Sequence, residues 1–346
     1  MKTVSFFTLL FLAFVSVCNA QSKIWSVSKD AAQKADYSEI QAAIDAASPG
    51  DYIYVYPSVY ENGFTLGIPL VIVGPGYFLG DNPNTQVNKS PATIKGEVTV
   101  GTNTSGTILT GLNLENKVTV QGTSNVILKR NRIHSIEINA STNITVKQNV
   151  IFEDSHSYKV DFSDIYSSIY IKSNCSSIAI KNNFISATSL GWGFTCYVFL
   201  STESSTSCLV ENNVVFGNFT GYNITFNNNI SRGGENKESA ECSFHNNISS
   251  VSQFGAINGN QANVNMTTVF VGSATNPSTD GQWQLKNGSP AKGAGMNGVD
   301  CGMFGGSDPY VLSGVPDIPA IYFFEAPDGA STTNGLPVHV KIKSRQ

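Results

Sequence analysis

From Ile108 to Asn247 the chain repeats one short pattern: an apolar residue, any residue, a second apolar residue, two mostly polar residues, then asparagine. The seven units close at Asn113, Asn131, Asn149, Asn183, Asn213, Asn229 and Asn247, at steps of 18, 18, 34, 30, 16 and 18 residues. Alternation inside each unit predicts a short strand with one face turned inward. A near-constant period predicts a solenoid, because a coil of this length cannot bury its own apolar face and has to stack on the next. The fold class expected is all-β, a parallel β-helix from about Ile24 to Phe304, with the seven asparagines in one line along its axis. An asparagine at such a corner takes left-handed backbone angles at low cost, and its amide can bond its counterpart about 4.8 Å away.

The flanking sequence fits this reading. Ile24 to Val27 reads as a first strand, and residues 36–47 as a short helix with Ile40, Ala43, Ile44 and Ala47 on one face, capped by Asp36 or Ser38 and ended by Pro49 and Gly50. Such a helix plugs the open end of the core. Asp51 to Tyr56 alternates as a strand, and Leu70 to Val73 begins another. The run from Tyr37 through Asp51 to Tyr60 resembles the opening of the pectate-lyase-like right-handed β-helix superfamily. Lys286 to Gly295 and Asp300 to Gly305 are similar to the closing coil of many secreted bacterial β-helix proteins. The resemblance implies a right-handed helix with an N-terminal capping helix over residues 21–306, and it is specific for fold, not for activity. Past Ser307, four prolines up to Pro327 predict an extended tail, residues 307–346, that caps or flanks the solenoid.

Residues 1–20 carry Lys2, an apolar run from Val4 to Val17 and the small Ala20, which reads as a secretory leader removed before Gln21. The run is too short to span a bilayer, so no transmembrane segment is expected after cleavage, and the protein is expected outside the cell or at its envelope. Charged residues make up only 13% of the chain, about half the usual share. Loss of Lys2 moves the net charge from −4 to −5, which with the lack of any basic recognition element argues against nucleic acid as a partner. The remaining cysteines, Cys175, Cys196, Cys208, Cys242 and Cys301, are odd in number. Cys208 and Cys242 sit in the inward column two coils apart, too far to bridge.

Candidate chemistry lies on the outward face. The outward position of each unit reads Gly111, Lys129, Lys147, Lys181, Glu211, Asn227 and His245. Lys129 and Lys147 are expected about 5 Å apart. With Arg130, Arg132 and His134 nearby, this column is a candidate subsite for an acidic sugar, and a lysine of lowered pKa can serve as base in β-elimination. The alternative is that the lysines only solvate the surface. Two insertions interrupt the series: residues 152–166 with Asp154, Asp161 and Asp164, and the aromatic residues 186–207 with Trp192 and Tyr197. Loops of this kind on a rigid scaffold concentrate binding residues. Residues 232–241 are a possible further wall. Glu137 with the three aspartates is a candidate Ca²⁺ site or glycosidase pair, though no ligand-spacing motif for a metal or other cofactor is present.

Polygalacturonase-like members of the superfamily carry Asn-Thr-Asp, Asp-Asp, His-Gly and Arg-Ile-Lys signatures, and the main pectate lyases carry Arg-rich and Trp-Ile-Asp-His ones. None occurs here. The function expected first is therefore binding of polysaccharide, acidic if the lysines take part. A divergent lyase or hydrolase and a structural or adhesive surface protein are the alternatives, since fold alone does not choose among them.

Overall fold

The computed structural model describes residues 21–153, 167–187, 197–201, 207–236, 239–327, 329 and 335–344. They form a right-handed parallel β-helix of three-sided coils. One side is a parallel sheet of ten strands stacked in chain order: Ile24–Val27, Tyr52–Val55, Val71–Val73, Ile108–Thr110, Ile127–Lys129, Thr142–Lys147, Ser176–Lys181, Cys208–Glu211, Ile224–Asn227 and Ser243–His245. The other two sides share a second parallel sheet, because the long strands Asn113–Gln121 and Arg132–Asn139 each bend through both. Among the described residues the stacked strands end at Ile248–Ser249 rather than near Phe304. No helix among the described residues is long and apolar enough to cross a membrane.

Each strand of the first sheet is short because left-handed corners bracket it. The corner after the strand is taken by Gly111, Arg130, Gln148, Asn182, Asn212, Asn228 and Asn246, all with φ between 54° and 73°. The left-handed residue is thus the one before the closing asparagine in every unit from Asn131 on, and one position earlier, at Gly111, in the first. Only glycine and asparagine enter this region at little cost. At Gly111 a side chain is also excluded by space, since a Cβ there would lie 2.5 Å from the carbonyl oxygen of Gly74.

The closing asparagines point inward and form a ladder. Asn131, Asn149, Asn183, Asn213, Asn229 and Asn247 are fully buried. In each, the backbone N–H and Nδ2 both donate to Oδ1 of the next asparagine, and Nδ2 also donates to a strand carbonyl of the preceding coil, as Asn149 does to Asn183 and to Leu128. Asn113 is not in this line, contrary to the repeat pattern. Ile127 pairs with Ile108 and Arg132 with Asn113, so the first unit is offset by one residue. Leu112 occupies the ladder position and donates its N–H to Asn131 Oδ1, while Thr107 fills the inward slot that Val126 has in the next coil. At the other end the ladder gains Asn260, whose Oδ1 accepts from Asn247.

The predicted helix forms over Ile40–Ala46 and buries Ile40, Ala43 and Ile44 against the first coils. Neither predicted cap is used. Asp36 instead accepts from the backbone N–H and hydroxyl of Ser26, tying the helix approach to the first strand. Asp51 is buried below it, accepting from the N–H groups of Lys23 and Ser48 and from Trp25 Nε1. Burial alone would raise its pKa, but these bonds to the charged form outweigh it and hold the carboxyl below the usual range. A depressed folded-state pKa means that Asp51 contributes stability in full above the ordinary carboxylate pKa of about 3.9 and loses it as pH falls through the lower folded value. Asp51→Asn is therefore expected to lower the melting temperature at neutral pH, with the gap to wild type closing below about pH 4. A gap that stays constant down to pH 2 would contradict this account of the site.

From residue 294 the chain turns back and runs along the solenoid against the direction of coil growth. The left-handed corners hold it. Asn246 Nδ2 donates to Ala294 O, Asn228 Oδ1 accepts from Met296 N, and Asn212 Nδ2 donates to Asp300 O. Asn182 Nδ2 donates to Met303 O and Gly305 O, Gln148 Nε2 to Asp308 Oδ1 and Pro309 O, and Arg130 Nη1 to Val315 O and Asp317. This return strap, with Cys301, Met303 and Tyr310, and the segment before it, with Val269, Phe270 and Trp283, together cover an outward apolar column, Val150, Phe184, Val214, Ile230 and Ile248. The result is a second hydrophobic core outside the coils. Beyond it, Ala320–Glu325 and His339–Lys343 form an antiparallel hairpin.

Candidate functional site

The lysine column exists, with Lys129, Lys147 and Lys181 in register on adjacent strands. Its first member is preceded by Thr110 rather than Gly111, the same one-residue offset seen in the ladder. Each lysine, however, meets a carboxylate of the chain itself. Lys129 pairs with Asp317 at 2.6 Å, Lys147 with Asp308, and Lys181 with Glu211 at 3.0 Å. Two of these acids belong to the return strap, so the column read as a candidate subsite for an acidic sugar carries counter-charges of the chain's own. Arg130 is engaged likewise: it is 5% exposed and bonds Gln148, Val315 and Asp317. Burial would raise the pKa of Asp317, but its bonds and charge contacts with Lys129 and Arg130 hold it low.

Glu137 lies on the third side of the coil between Lys172, 2.9 Å away, and Lys117 at 3.9 Å. Its carboxylate is thus engaged by two cations. Asp154, Asp161, Asp164 and Trp192 lie outside the described residues, as does Cys196. Among the described residues no group of three metal-ligating side chains is gathered. Tyr197 is half-buried on the third side, bridging Ser167 and Asn218, away from the lysines and from Arg132. Residues Gly234, Glu235 and Asn236 of the expected third wall do line a polar pocket with Asn218 and Gln253. Cys175, Cys208, Cys242 and Cys301 are unbridged, and burial raises each thiol's pKa, that of Cys301 to about 12. They are packing residues.

Arg132 faces an open cavity. A cleft of about 310 Å³ lies between the second side of the coils and the C-terminal segment, lined by Phe78, Arg132, Phe152, Phe184, Gln282 and Trp283, with Val150, Thr279 and Asp280 behind them. Arg132, Val150 and Phe184 stand in register on successive strands, which places one guanidinium beside an apolar run. One N–H of Arg132 goes to Asn113 Oδ1 at 2.8 Å. The offset that removes Asn113 from the ladder is what turns it outward to hold this arginine.

The opposite wall is rigid. Trp283 ends a single 3₁₀ turn, Gly281–Trp283, and is fixed from three directions: stacked on Phe184 at 5.2 Å, and edge-on to Phe216 at 4.9 Å and Phe270 at 5.4 Å. The turn is anchored by Asp280, which is 1% exposed. Its Oδ1 accepts from Asn82 Nδ2 and lies 2.8 Å from Ser278 Oγ, and its Oδ2 accepts from Tyr310 OH and Ser313 N. Tyr310 OH is in turn 2.9 Å from Tyr77 OH. Burial pushes both phenols far above their usual pKa, so they stay neutral donors in this network. Both carboxylate oxygens of Asp280 accept from buried donors, which makes it a support for the cleft rather than a reacting group. Gly314 closes the network with φ 53°, since a Cβ there would lie 2.2 Å from the Tyr77 ring.

The sequence pattern points to Arg132 but to none of the aromatic wall. Trp283 lies in an irregular stretch with no periodicity, and Phe184 looks like any residue following a ladder asparagine. The visible signal was the column after the asparagines, where outward residues are apolar from Val150 onward. An outward apolar column needs a cover.

No family model matches the chain, and comparison with curated proteins gives no match. Among solved structures it is similar to one described as the crystal structure of pectate lyase Pel9A, with a TM-score of 0.44 and 14% identity over 82% of this chain and 96% of that one. The stacked parallel sheets are those of a parallel β-helix.

Proposed function

We propose that the protein is exported and binds an acidic polysaccharide, without cleaving it, in the cleft between Arg132 and Trp283. The observation that carries this reading is the pairing of one outward guanidinium with a fixed aromatic wall. Sugar rings present apolar faces that stack on aromatic side chains, and a planar guanidinium matches a uronate carboxylate in two-point geometry. A deep, mostly apolar cavity with one directed charge is what orients a small part of a longer ligand. The leader-like residues 1–20 support export. The lysine column contributes little, because an exposed lysine already paired with a carboxylate gains little by exchanging partners.

The test is gel retardation in polygalacturonate and alginate, with absorbance of unsaturated product followed in parallel. Wild type is expected to be retarded without forming product. Trp283→Ala and Arg132→Ala are each expected to weaken binding about ten-fold or more. Only Arg132→Ala should also flatten the salt dependence. The triple Lys129→Ala, Lys147→Ala, Lys181→Ala protein should bind nearly as wild type does. Equal loss in the triple variant would move the site to the lysine column, and product formation would make the protein a lyase.

A further inference from the structure

The cleft beside Arg132 has few polar groups left to offer a ligand. Both oxygens of Asp280 are taken by buried donors, Thr279 Oγ1 donates to Asp81, and Gln282 Nε2 donates to Thr279 O. One N–H of Arg132 goes to Asn113, which leaves the rest of the guanidinium as the chief donor of the lining. Most of what remains is apolar: Phe78, Phe152, Phe184 and Trp283, with Val150. At about 310 Å³ the cleft is at the small end of ligand sites, which run from about 300 to 1,000 Å³, so it holds one substituent rather than a run of sugars.

Phe78 stands in this lining in a strained conformation. Its φ of 48° lies in the left-handed region, where a bulky side chain is an outlier. Ser313 holds it there, donating its hydroxyl to Phe78 O and accepting from Tyr77 N at its carbonyl. Strain that the surroundings keep in place concentrates at ligand sites. A bare uronate ring pushed into the cleft would strip its hydroxyls of water without giving them partners. An aromatic ring has no such groups, and it packs offset or edge-on against other aromatic rings. Taking the cleft as the glycan site proposed above, we infer that the glycan carries aromatic acyl esters: the aryl group enters among Phe78, Phe152 and Trp283, and the carboxylate of the neighbouring uronate meets Arg132 at the mouth. The cleft then reads the substituent, and the guanidinium reads the sugar that bears it.

The test is retardation in native gels containing polygalacturonate, or the same polymer acetylated or benzoylated on its hydroxyls to equal extent. Wild type is expected to bind the benzoylated polymer about ten-fold more tightly than either of the others, the gain expected of a new aromatic contact. Phe78→Leu is expected to lose most of that preference with little change in melting temperature, since the substitution stays apolar. A variant that melts lower but keeps the full preference would make Phe78 a packing residue and overturn its role here. Equal retention on all three polymers overturns the aryl assignment and leaves the glycan reading standing, whereas retention on none overturns both. A preference shared by the acetylated polymer would make the cleft a general acyl site. Sodium benzoate that binds in calorimetry, with no preference for benzoylated polymer, would assign the cleft to a free aromatic acid instead.

Discussion

Asn149→Leu is expected to destabilise the protein by about 3–6 kcal/mol, because two or three buried polar groups lose their partners at about 1–3 kcal/mol each. Asn149 Oδ1 accepts both the N–H and Nδ2 of Asn131, and its own Nδ2 supplies Leu128 O. None of these groups can turn to water, since the ladder is fully buried. The backbone N–H of residue 149 would still reach Asn183 Oδ1, as that of Leu112 reaches Asn131. Leu112 is tolerated because it stands at the end of the ladder, where no amide above it needs an acceptor. Lys147→Ala, two residues away, loses one partly exposed ion pair with Asp308 and is expected to cost less than about 1 kcal/mol. Chemical denaturation of both variants decides the matter, and equal midpoints would show that the ladder amides contribute nothing beyond packing.

Ending the chain at Gly293 is expected to abolish cooperative folding of the coils from Arg132 onward. The truncation strips Cys301, Met303 and Tyr310 from the core around Val150, Val214, Ile230 and Ile248, and it removes the Tyr310 and Ser313 donors that anchor the Asp280 turn carrying Trp283. Re-exposing a large apolar side chain costs roughly 1.5–3 kcal/mol, so four of them reach the total stability of about 5–15 kcal/mol typical of a domain. The corner amides of Asn182, Asn212 and Asn246 lose their carbonyl partners in the same step, though these can rebind to water. The expected readout is strong binding of a hydrophobic dye and a broad, non-cooperative melt. A truncated protein that melts like wild type would show that the strap is an accessory and that the second core is not needed.

The repeat was legible because a solenoid writes its period directly into the chain: each coil places the same residue in the same environment, so inward alternation and the buried amide recur at a fixed step. The slip at Asn113 shows the limit of that legibility. Ile108, Leu109 and Thr110 can be read inward in either register, and only the stacking of Leu109 under Leu128 chose between them. A one-residue shift exchanges the two faces of a strand. It also moved Asn113 from the interior to the support of Arg132.

The position of the lysine column is legible in the sequence, and its environment is not. Its neutralisation depends on Asp308 and Asp317, which lie more than 160 residues away along the chain, and no local pattern announces such a partner. The doubled asparagines at 182–183, 212–213, 228–229 and 246–247 held more information than one ladder uses. The second of each pair builds the interior, and the first takes the left-handed corner and grips the strap.

The sequence by itself determined the coil, its inward face, the capping helix and the buried amide ladder, because these follow from local periodicity repeated many times. Tertiary structure alone decided where the C-terminal segment runs, which lysines keep a partner, and how Trp283 comes to face Arg132. Those outcomes depend on two returns of the chain along the axis, one that brings residues 279–283 to Asn82 and Phe184 and one that begins at residue 294. Their contacts join residues far apart in sequence, and nothing in the repeat encodes them singly.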